Sequence, residues 1–140
     1  MSREAFCQLT AGDANVLMSM LEEADRPGPF ETLLREKLNH ANVFFREDVP
    51  SNVVTIDTRF SYTINGVGFG PSVLVRNLPG DLPGFALSLW TLRGLALLGL
   101  AVGEQIEIRG MGGEADVLSV KRVFFQPEAE ARLKHSTPLT

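Results

Sequence analysis

Apolar and polar side chains alternate with a period of two between Val54 and Ile64. In an extended strand this spacing puts the apolar side chains, including Phe60, on one face and the polar side chains on the other. Asn65-Gly66 follows directly, and both residue types tolerate the positive φ angles of a tight hairpin turn. The pattern therefore predicts an antiparallel sheet that buries one face and exposes the other to water.

The rest of the second half predicts more strands around this hairpin and one helix. Strands are expected at four places: residues 71–76, 85–90 and 115–125, and around Ile106 and Ile108. Two Pro-Gly pairs mark residues 78–84 as a surface loop. Residues 92–100 form the most apolar stretch, with leucines at helical spacing, and they predict a short buried helix.

The N-terminal part of the chain carries helical signals instead. Thr10 has the type and position of an N-cap, with Asp13 three residues later, and apolar side chains then recur every three or four residues to about residue 25. Residues 26–29 interrupt this helix, and Pro29 begins a second helix with its own apolar stripe. The two segments predict a short antiparallel helical hairpin.

The expected fold class is therefore α+β. We expect a helical hairpin in the form of a short coiled coil over residues 1–47, an antiparallel β domain with one short helix over residues 48–127, and a flexible tail over residues 128–140. Hydrophobic residues make up 44% of the 140 residues, so a chain of this size can bury a core without disulfides.

Charge and hydropathy exclude several kinds of partner. The 13 basic residues are outnumbered by 17 acidic ones, which argues against direct binding to nucleic acid or to an anionic membrane. The N-terminus does not resemble a signal peptide, and the longest apolar run, residues 95–102, is far shorter than a membrane span. We expect a cytoplasmic protein.

The residue inventory also offers no enzyme signature. His40, His135 and the single cysteine, Cys7, are too scattered to predict a metal site. The chain has no nucleophile-elbow, phosphate-loop or dinucleotide-binding motif in the required setting. We therefore expect no catalytic residues, no metal and no cofactor, and the residues alone indicate an interaction module.

Three segments resemble motifs of the Rnk family, the regulators of nucleoside diphosphate kinase, and more distantly of the Gre transcript-cleavage factors of bacterial RNA polymerase. Residues 50–59, P-S-N-V-V-T-I-D-T-R, resemble the family's P-x-x-V-V-T-x-x-S-R. Residues 92–104, L-R-G-L-A-L-L-G-L-A-V-G-E, are similar to P-x-G-x-A-L-L-G-x-x-V-G-D. Residues 112–120 hold a double glycine and then V-L-S-V, similar to the family's P-G-G and its terminal strand.

This resemblance implies an FKBP-like domain that docks on bacterial RNA polymerase at the rim of the secondary channel, with the helical hairpin pointing inward. It does not imply prolyl isomerase activity. The partner-binding residues that it suggests form one continuous segment: Trp90, Thr91, Leu92, Arg93 and Gly94. Leu92 and Met111 stand where the family usually has proline, which alters the partner-facing loop.

The tip of the hairpin differs from that of a Gre factor, which carries acidic residues on a long coiled coil. Here Asp25 is a single carboxylate next to Arg26. Helices of about 12 to 16 residues span roughly 18 to 24 Å, which is short for reaching the polymerase centre. The resemblance therefore implies a non-enzymatic regulator that competes with Gre-type factors without stimulating transcript cleavage.

Two alternatives stay open beside this interpretation. One is a homo-oligomeric scaffold in which the hairpins of different copies pair through Val16, Met20 and Phe30, although a monomer is favoured. The other is a prolyl isomerase, which would need an aromatic-lined apolar pocket. A mass that does not change with concentration would exclude the first, and an isomerase assay on a proline peptide would test the second.

Overall fold

The computed structural model describes residues 7–24, 26–110 and 112–136. These residues form seven strands and four helices in the order β1 (Cys7–Thr10), α1 (Ala11–Glu23), α2 (Pro29–His40), β2 (Ala41–Phe44), β3 (Arg59–Ile64), β4 (Val67–Val75), β5 (Ala86–Ser88), α3 (Leu92–Leu97), β6 (Gln105–Arg109), β7 (Ala115–Phe125) and α4 (Pro127–Ser136). The predicted α+β class is confirmed.

Five of the strands form one sheet in the order β5-β4-β3-β7-β6. All neighbouring pairs are antiparallel except β4 and β5. In β3 the side chains of Phe60, Tyr62 and Ile64 are buried, so the predicted alternation is confirmed there. Asn65 and Gly66 form the predicted turn, with φ angles of 51° and 85°.

The strand was expected to begin near residue 53, and this prediction is wrong by about six residues. The backbone N–H of Thr58 donates to the Thr55 carbonyl, while the Thr58 hydroxyl accepts from the Thr55 N–H, each at 3.0 Å. Asp57 has a φ of 75°, which a strand does not allow. The chain therefore makes a buried turn before β3 begins, and only Val53 forms an isolated bridge, with Ala101.

Other boundaries shift in smaller ways. Strand β7 coincides with the predicted residues 115–125, whereas β4 begins before the predicted residue 71 and β5 has only three residues. Helix α3 ends at Leu97 instead of residue 100. The chain turns sharply there because Gly99 adopts a φ of 88°, and a side chain on Gly99 would collide with the Cys7 side chain.

The N-terminal helices begin where the sequence predicts. Thr10 caps α1, because its hydroxyl accepts a hydrogen bond of 3.0 Å from the Asp13 N–H, and Pro29 is the first residue of α2. The sequence did not predict β1 and β2, which flank the two helices and pair in parallel with Cys7 opposite Ala41. The two helices contact each other, and α2 also packs on α3.

One hydrophobic core joins the N-terminal helices to the sheet. Its buried residues come from α1, α2, α3 and the five-stranded sheet, and they include Leu17, Leu34, Phe60, Leu97 and Leu118. Met20 is buried in this core, and Val16 and Phe30 pack against it. The three residues that favoured pairing of hairpins between copies are therefore used within one chain.

Residues 128–136 of the expected flexible tail lie in a helix, because α4 runs from Pro127 to Ser136. Gln126 precedes the helix and caps it, since its Oε1 accepts from the Ala129 N–H at 3.1 Å. The Gln126 Nε2 donates to the carbonyls of Pro50 and Val53, each at 2.8 Å.

Within residues 7–24, 26–110 and 112–136, no helix is long and apolar enough to cross a membrane.

Candidate partner-binding site

The segment Trp90–Gly94 connects β5 to α3, and hydrogen bonds around Ser88 fix its path. The Thr91 hydroxyl donates to the Ser88 carbonyl at 2.7 Å and accepts from the Gly94 N–H at 3.1 Å, which caps α3. The Trp90 N–H donates to the Ser88 hydroxyl at 3.0 Å. Thr91 thus positions the segment.

Gly94 and Leu92 also have structural roles. Gly94 is buried, and a side chain at this position would overlap the Ser88 carbonyl oxygen, so only glycine fits. Leu92 is half-buried and packs against the core. Thr91, Leu92 and Gly94 therefore hold the segment in its conformation. Of the five residues that the resemblance suggests, Trp90 and Arg93 are the two whose large side chains are left for contact with a partner.

Trp90 is held in place by an aromatic contact with α2. Its ring stacks on that of Phe30, with centroids 5.9 Å apart and planes 13° from parallel. Both side chains are half-buried, so part of the stacked pair faces solvent. The contact places the first turn of α2 beside the candidate segment, a neighbourhood that the sequence did not reveal.

Arg93 is exposed in the first turn of α3, and its charge acts on Tyr62 of β3. Burial raises the pKa of Tyr62, and the positive charge of Arg93 acts in the opposite direction. Tyr62 stacks on Phe69, with ring centroids 5.6 Å apart, and Phe69 is 40% exposed. Arg93 is therefore an exposed cation whose charge acts on Tyr62, one member of the Tyr62–Phe69 pair.

The predicted tip of the helical hairpin corresponds to the connection between α1 and α2. Arg26 is exposed in the connection between α1 and α2. Asp25 and Met111 lie outside the described residues. Since Phe30 is in the first turn of α2, the connection leads directly to the Trp90–Phe30 stack.

Lys37 is an important residue that the sequence analysis missed. Its side chain is completely buried, and the ammonium donates to the carbonyls of Ala96 at 2.9 Å and Leu98 at 2.5 Å. Burial lowers the pKa of Lys37 to about 8. Because both acceptors lie at the end of α3, Lys37 joins α2 to the helix that follows the candidate segment. Its position three residues after Leu34, on the apolar face of α2, was the available signal.

A second buried charge lies at the start of α1. The Oδ2 of Asp13 accepts a hydrogen bond of 3.2 Å from the Ile56 N–H, and burial raises the pKa of Asp13 to about 6. The carboxylate of Glu128, which accepts a 2.7 Å hydrogen bond from the Thr55 hydroxyl, contributes to this rise. Both carboxylates line a cleft of about 360 Å³ that also contains Arg46. No three potential metal-ligating side chains cluster among the described residues.

Comparison with known proteins identifies the group to which this sequence belongs. The sequence is 34% identical over 122 residues to the regulator of nucleoside diphosphate kinase of Escherichia coli strain K12, which covers 84% of this chain and 88% of the relative. The Shigella flexneri regulator of nucleoside diphosphate kinase matches with the same identity and coverage. The chain belongs to the Rnk family. No protein-family model matches the sequence.

A solved structure extends this relationship. The prokaryotic transcription elongation factor GreA/GreB from Nitrosomonas europaea superimposes on the Rnk-family chain with a TM-score of 0.65 at 28% sequence identity. The match covers 89% of this chain and all of the solved one. Resemblance to the Rnk family, and through it to Gre-type factors, was predicted from three short motifs and is confirmed. These relatives are named as regulators or elongation factors.

Proposed function

We propose that this Rnk-family protein binds bacterial RNA polymerase near the secondary channel and competes there with Gre-type factors without stimulating transcript cleavage. The observation that carries the proposal is the match to a transcription elongation factor over 89% of the chain, helices and sheet together. A regulator that keeps the architecture of an elongation factor can occupy the same surface of the same partner. The protein acts as a non-enzymatic cytoplasmic monomer.

The docking surface that we propose consists of Trp90 and Arg93, supported by Phe30. Tryptophan and arginine are enriched among the few residues that dominate binding at protein interfaces. The ring of Trp90 is already fixed by its stack on Phe30, so it loses little conformational freedom on binding. Thr91, Leu92 and Gly94 shape the segment instead of contacting the partner. In this proposal Trp90 and Arg93 belong to an FKBP-like domain of residues 48–127, and Phe30 belongs to the helical hairpin that was expected within residues 1–47.

Failure to stimulate cleavage follows from the tip of the hairpin. Helix α1 has 13 residues and α2 has 12, so each is roughly 18 to 20 Å long. The connection offers one carboxylate, Asp25, next to Arg26, whereas a pair of acidic residues would be needed to help hold a catalytic metal ion. A short hairpin of this kind blocks the entry of another factor but supplies no cleavage chemistry.

The test is equilibrium binding of the purified protein to core RNA polymerase at fixed salt concentration, because exposed charges are screened by salt. Arg93→Ala should weaken binding by about 5-fold to 30-fold, the usual range for an interface arginine that costs about 1 to 2 kcal/mol. Arg59→Ala is the matched control, since Arg59 is also exposed but lies on β3. Equal affinity of both variants would contradict the surface assignment, and absence of saturable binding would contradict the function.

A further inference from the structure

Strand β6 lies at one end of the sheet, where it pairs only with β7 among the described strands. Two hydrogen bonds fix which of its backbone groups face β7. The Gly110 N–H donates to the Glu114 carbonyl at one end, and the Val120 N–H donates to the Glu104 carbonyl at the other. In an antiparallel ladder, alternate residues face the partner strand. The even-numbered residues therefore face β7, while the N–H and C=O groups of Gln105, Glu107 and Arg109 point to the open edge.

A groove of about 640 Å³ lies along the part of this edge from Glu107 to Gly110. Helix α2 forms its opposite wall, and four apolar side chains line it: Pro29, Leu33, Leu92 and Ile108. Glu36 and Glu107 line it as well. The groove thus combines an apolar surface with a row of backbone hydrogen-bonding groups, which are the two features that a sheet needs to accept another strand.

The dimensions suit one extended segment. Five residues of β6 span about 17 Å, and an added strand would lie about 4.8 Å from β6. Its backbone would pair with Gln105, Glu107 and Arg109. Every second side chain would then turn toward Leu33 and Leu92, and the others would face solvent.

Charge indicates what kind of segment fits. The guanidinium of Arg109 lies 3.4 Å from the Glu107 carboxylate and donates to the Gly113 carbonyl at 3.2 Å. Glu36 is exposed and forms no ion pair among the described residues. The groove therefore has one more carboxylate than it has cations, which favours a basic side chain on the incoming segment. It also adjoins the proposed docking surface, because Leu92, which lies between Trp90 and Arg93 in the sequence, lines the groove.

We propose that β6 accepts, as an added strand in this groove, an extended segment of a partner protein that alternates apolar with basic or polar residues. The charged side chains of Glu107 and Arg109 discourage pairing of two β6 edges in the absence of such a partner. This inference goes beyond the proposed function, since it concerns a strand-addition site that does not require the partner to be RNA polymerase.

The test uses a fluorescein-labelled peptide, Lys-Val-Thr-Val-Lys-Val-Thr, with the full chain and no polymerase present, so that its outcome is separate from that of the polymerase experiment. We expect saturable binding by fluorescence anisotropy. Hydrogen exchange followed by NMR should show slower exchange of the Gln105, Glu107 and Arg109 amides when the peptide is bound. The amides of Ile106 and Ile108 already face β7 and should change little.

Two variants identify the site. Glu107→Pro removes one outward N–H at an edge position where proline is tolerated. Glu107→Val loses the same carboxylate but keeps the N–H, so Glu107→Pro should bind the peptide about 10-fold more weakly than Glu107→Val. Glu36→Lys should weaken binding of the basic peptide several-fold, and Glu22→Lys, exposed on α1, is its control. Because Glu36 lies on α2, Glu36→Lys leaves β6 unchanged, and it tests the site even if Glu107→Pro folds poorly.

Several results would overturn the proposal. One is no saturable binding at peptide concentrations up to about 1 mM, an affinity of about 4 kcal/mol. Another is binding that leaves exchange at Gln105, Glu107 and Arg109 unchanged. Protection of these three amides that rises with protein concentration in the absence of peptide would also contradict it, because a second copy of this chain would then occupy the edge.

Discussion

Replacing the buried Lys37 with methionine tests how the helical part is fixed to the rest of the fold. The variant leaves the Ala96 and Leu98 carbonyls without their donor, which costs about 1 to 3 kcal/mol for each buried group. It also removes a charge whose burial lowers the lysine pKa from 10.5 to about 8, worth about 3 kcal/mol at neutral pH. These effects act in opposite directions. The two carbonyls together cost about 2 to 6 kcal/mol, so at pH 7 the stability of Lys37→Met should lie between about 1 kcal/mol above and about 3 kcal/mol below that of the original protein.

The cancellation should disappear at higher pH. Because the pKa of Lys37 is lowered, the unfolded chain binds more protons than the folded one between about pH 8 and pH 10.5. The stability of the original protein therefore rises with pH across this window, and the contribution of Lys37 to stability is lost as the pH falls through 8. Between pH 7 and pH 10 the stability difference between the two proteins should therefore grow by about 2 to 3 kcal/mol.

The assay is urea unfolding followed by the fluorescence of Trp90, the single tryptophan of the chain, at several pH values. Lys121→Met, at an exposed position on β7, is the matched control and should show no such pH-dependent difference. A difference for Lys37→Met that stays constant or shrinks from pH 7 to pH 10 would refute the reasoning.

Two further substitutions test other parts of the fold by urea unfolding. Gly94→Ala should destabilise the protein by about 3 kcal/mol or more, because its side chain would overlap the Ser88 carbonyl, while Gly12→Ala in α1 has room and should change stability by less than about 1 kcal/mol; similar losses for both would refute this contact. Burial raises the pKa of Asp13 to about 6, so its contribution to stability is full below about pH 3.8 and is lost as the pH rises to about 6. The free energy of unfolding of Asp13→Asn should therefore rise by about 2 to 3 kcal/mol relative to that of the original protein between pH 4 and pH 7. A constant difference would show that Asp13 ionises normally.

The sequence predicted those elements whose signals are local. The Asn65-Gly66 turn, the N-cap at Thr10 and the extent of β7 depend on neighbouring residues, and all three are confirmed. The alternation before β3 wrongly predicted a strand, because Val54 and Ile56 are buried residues of a turn. Burial alone therefore does not distinguish a strand from a tightly packed turn.

The elements that the sequence did not predict depend on distant partners. Strands β1 and β2 have four residues each and pair across 34 positions of sequence, from Cys7 to Ala41. Helix α4 is polar, and it is held by contacts of Gln126 with Pro50 and Val53. No periodicity in the local sequence predicts such long-range contacts.

The candidate site was predicted as a continuous segment, but not the division of labour within it. A family motif pointed to Trp90–Gly94 as a whole. Only the structure separates Thr91 and Gly94, which shape the backbone, from Trp90 and Arg93, which a partner can reach. The stack of Trp90 on Phe30 joins residues 60 positions apart, and a single sequence contains no sign of it.

The most direct test of the proposed function is transcript cleavage in stalled elongation complexes of bacterial RNA polymerase. The protein alone should leave the intrinsic cleavage rate unchanged, and increasing amounts of it should reduce cleavage stimulated by a fixed amount of a Gre factor to the intrinsic rate. Stimulation of cleavage by the protein itself, or full Gre activity in the presence of a large excess of it, would contradict the account.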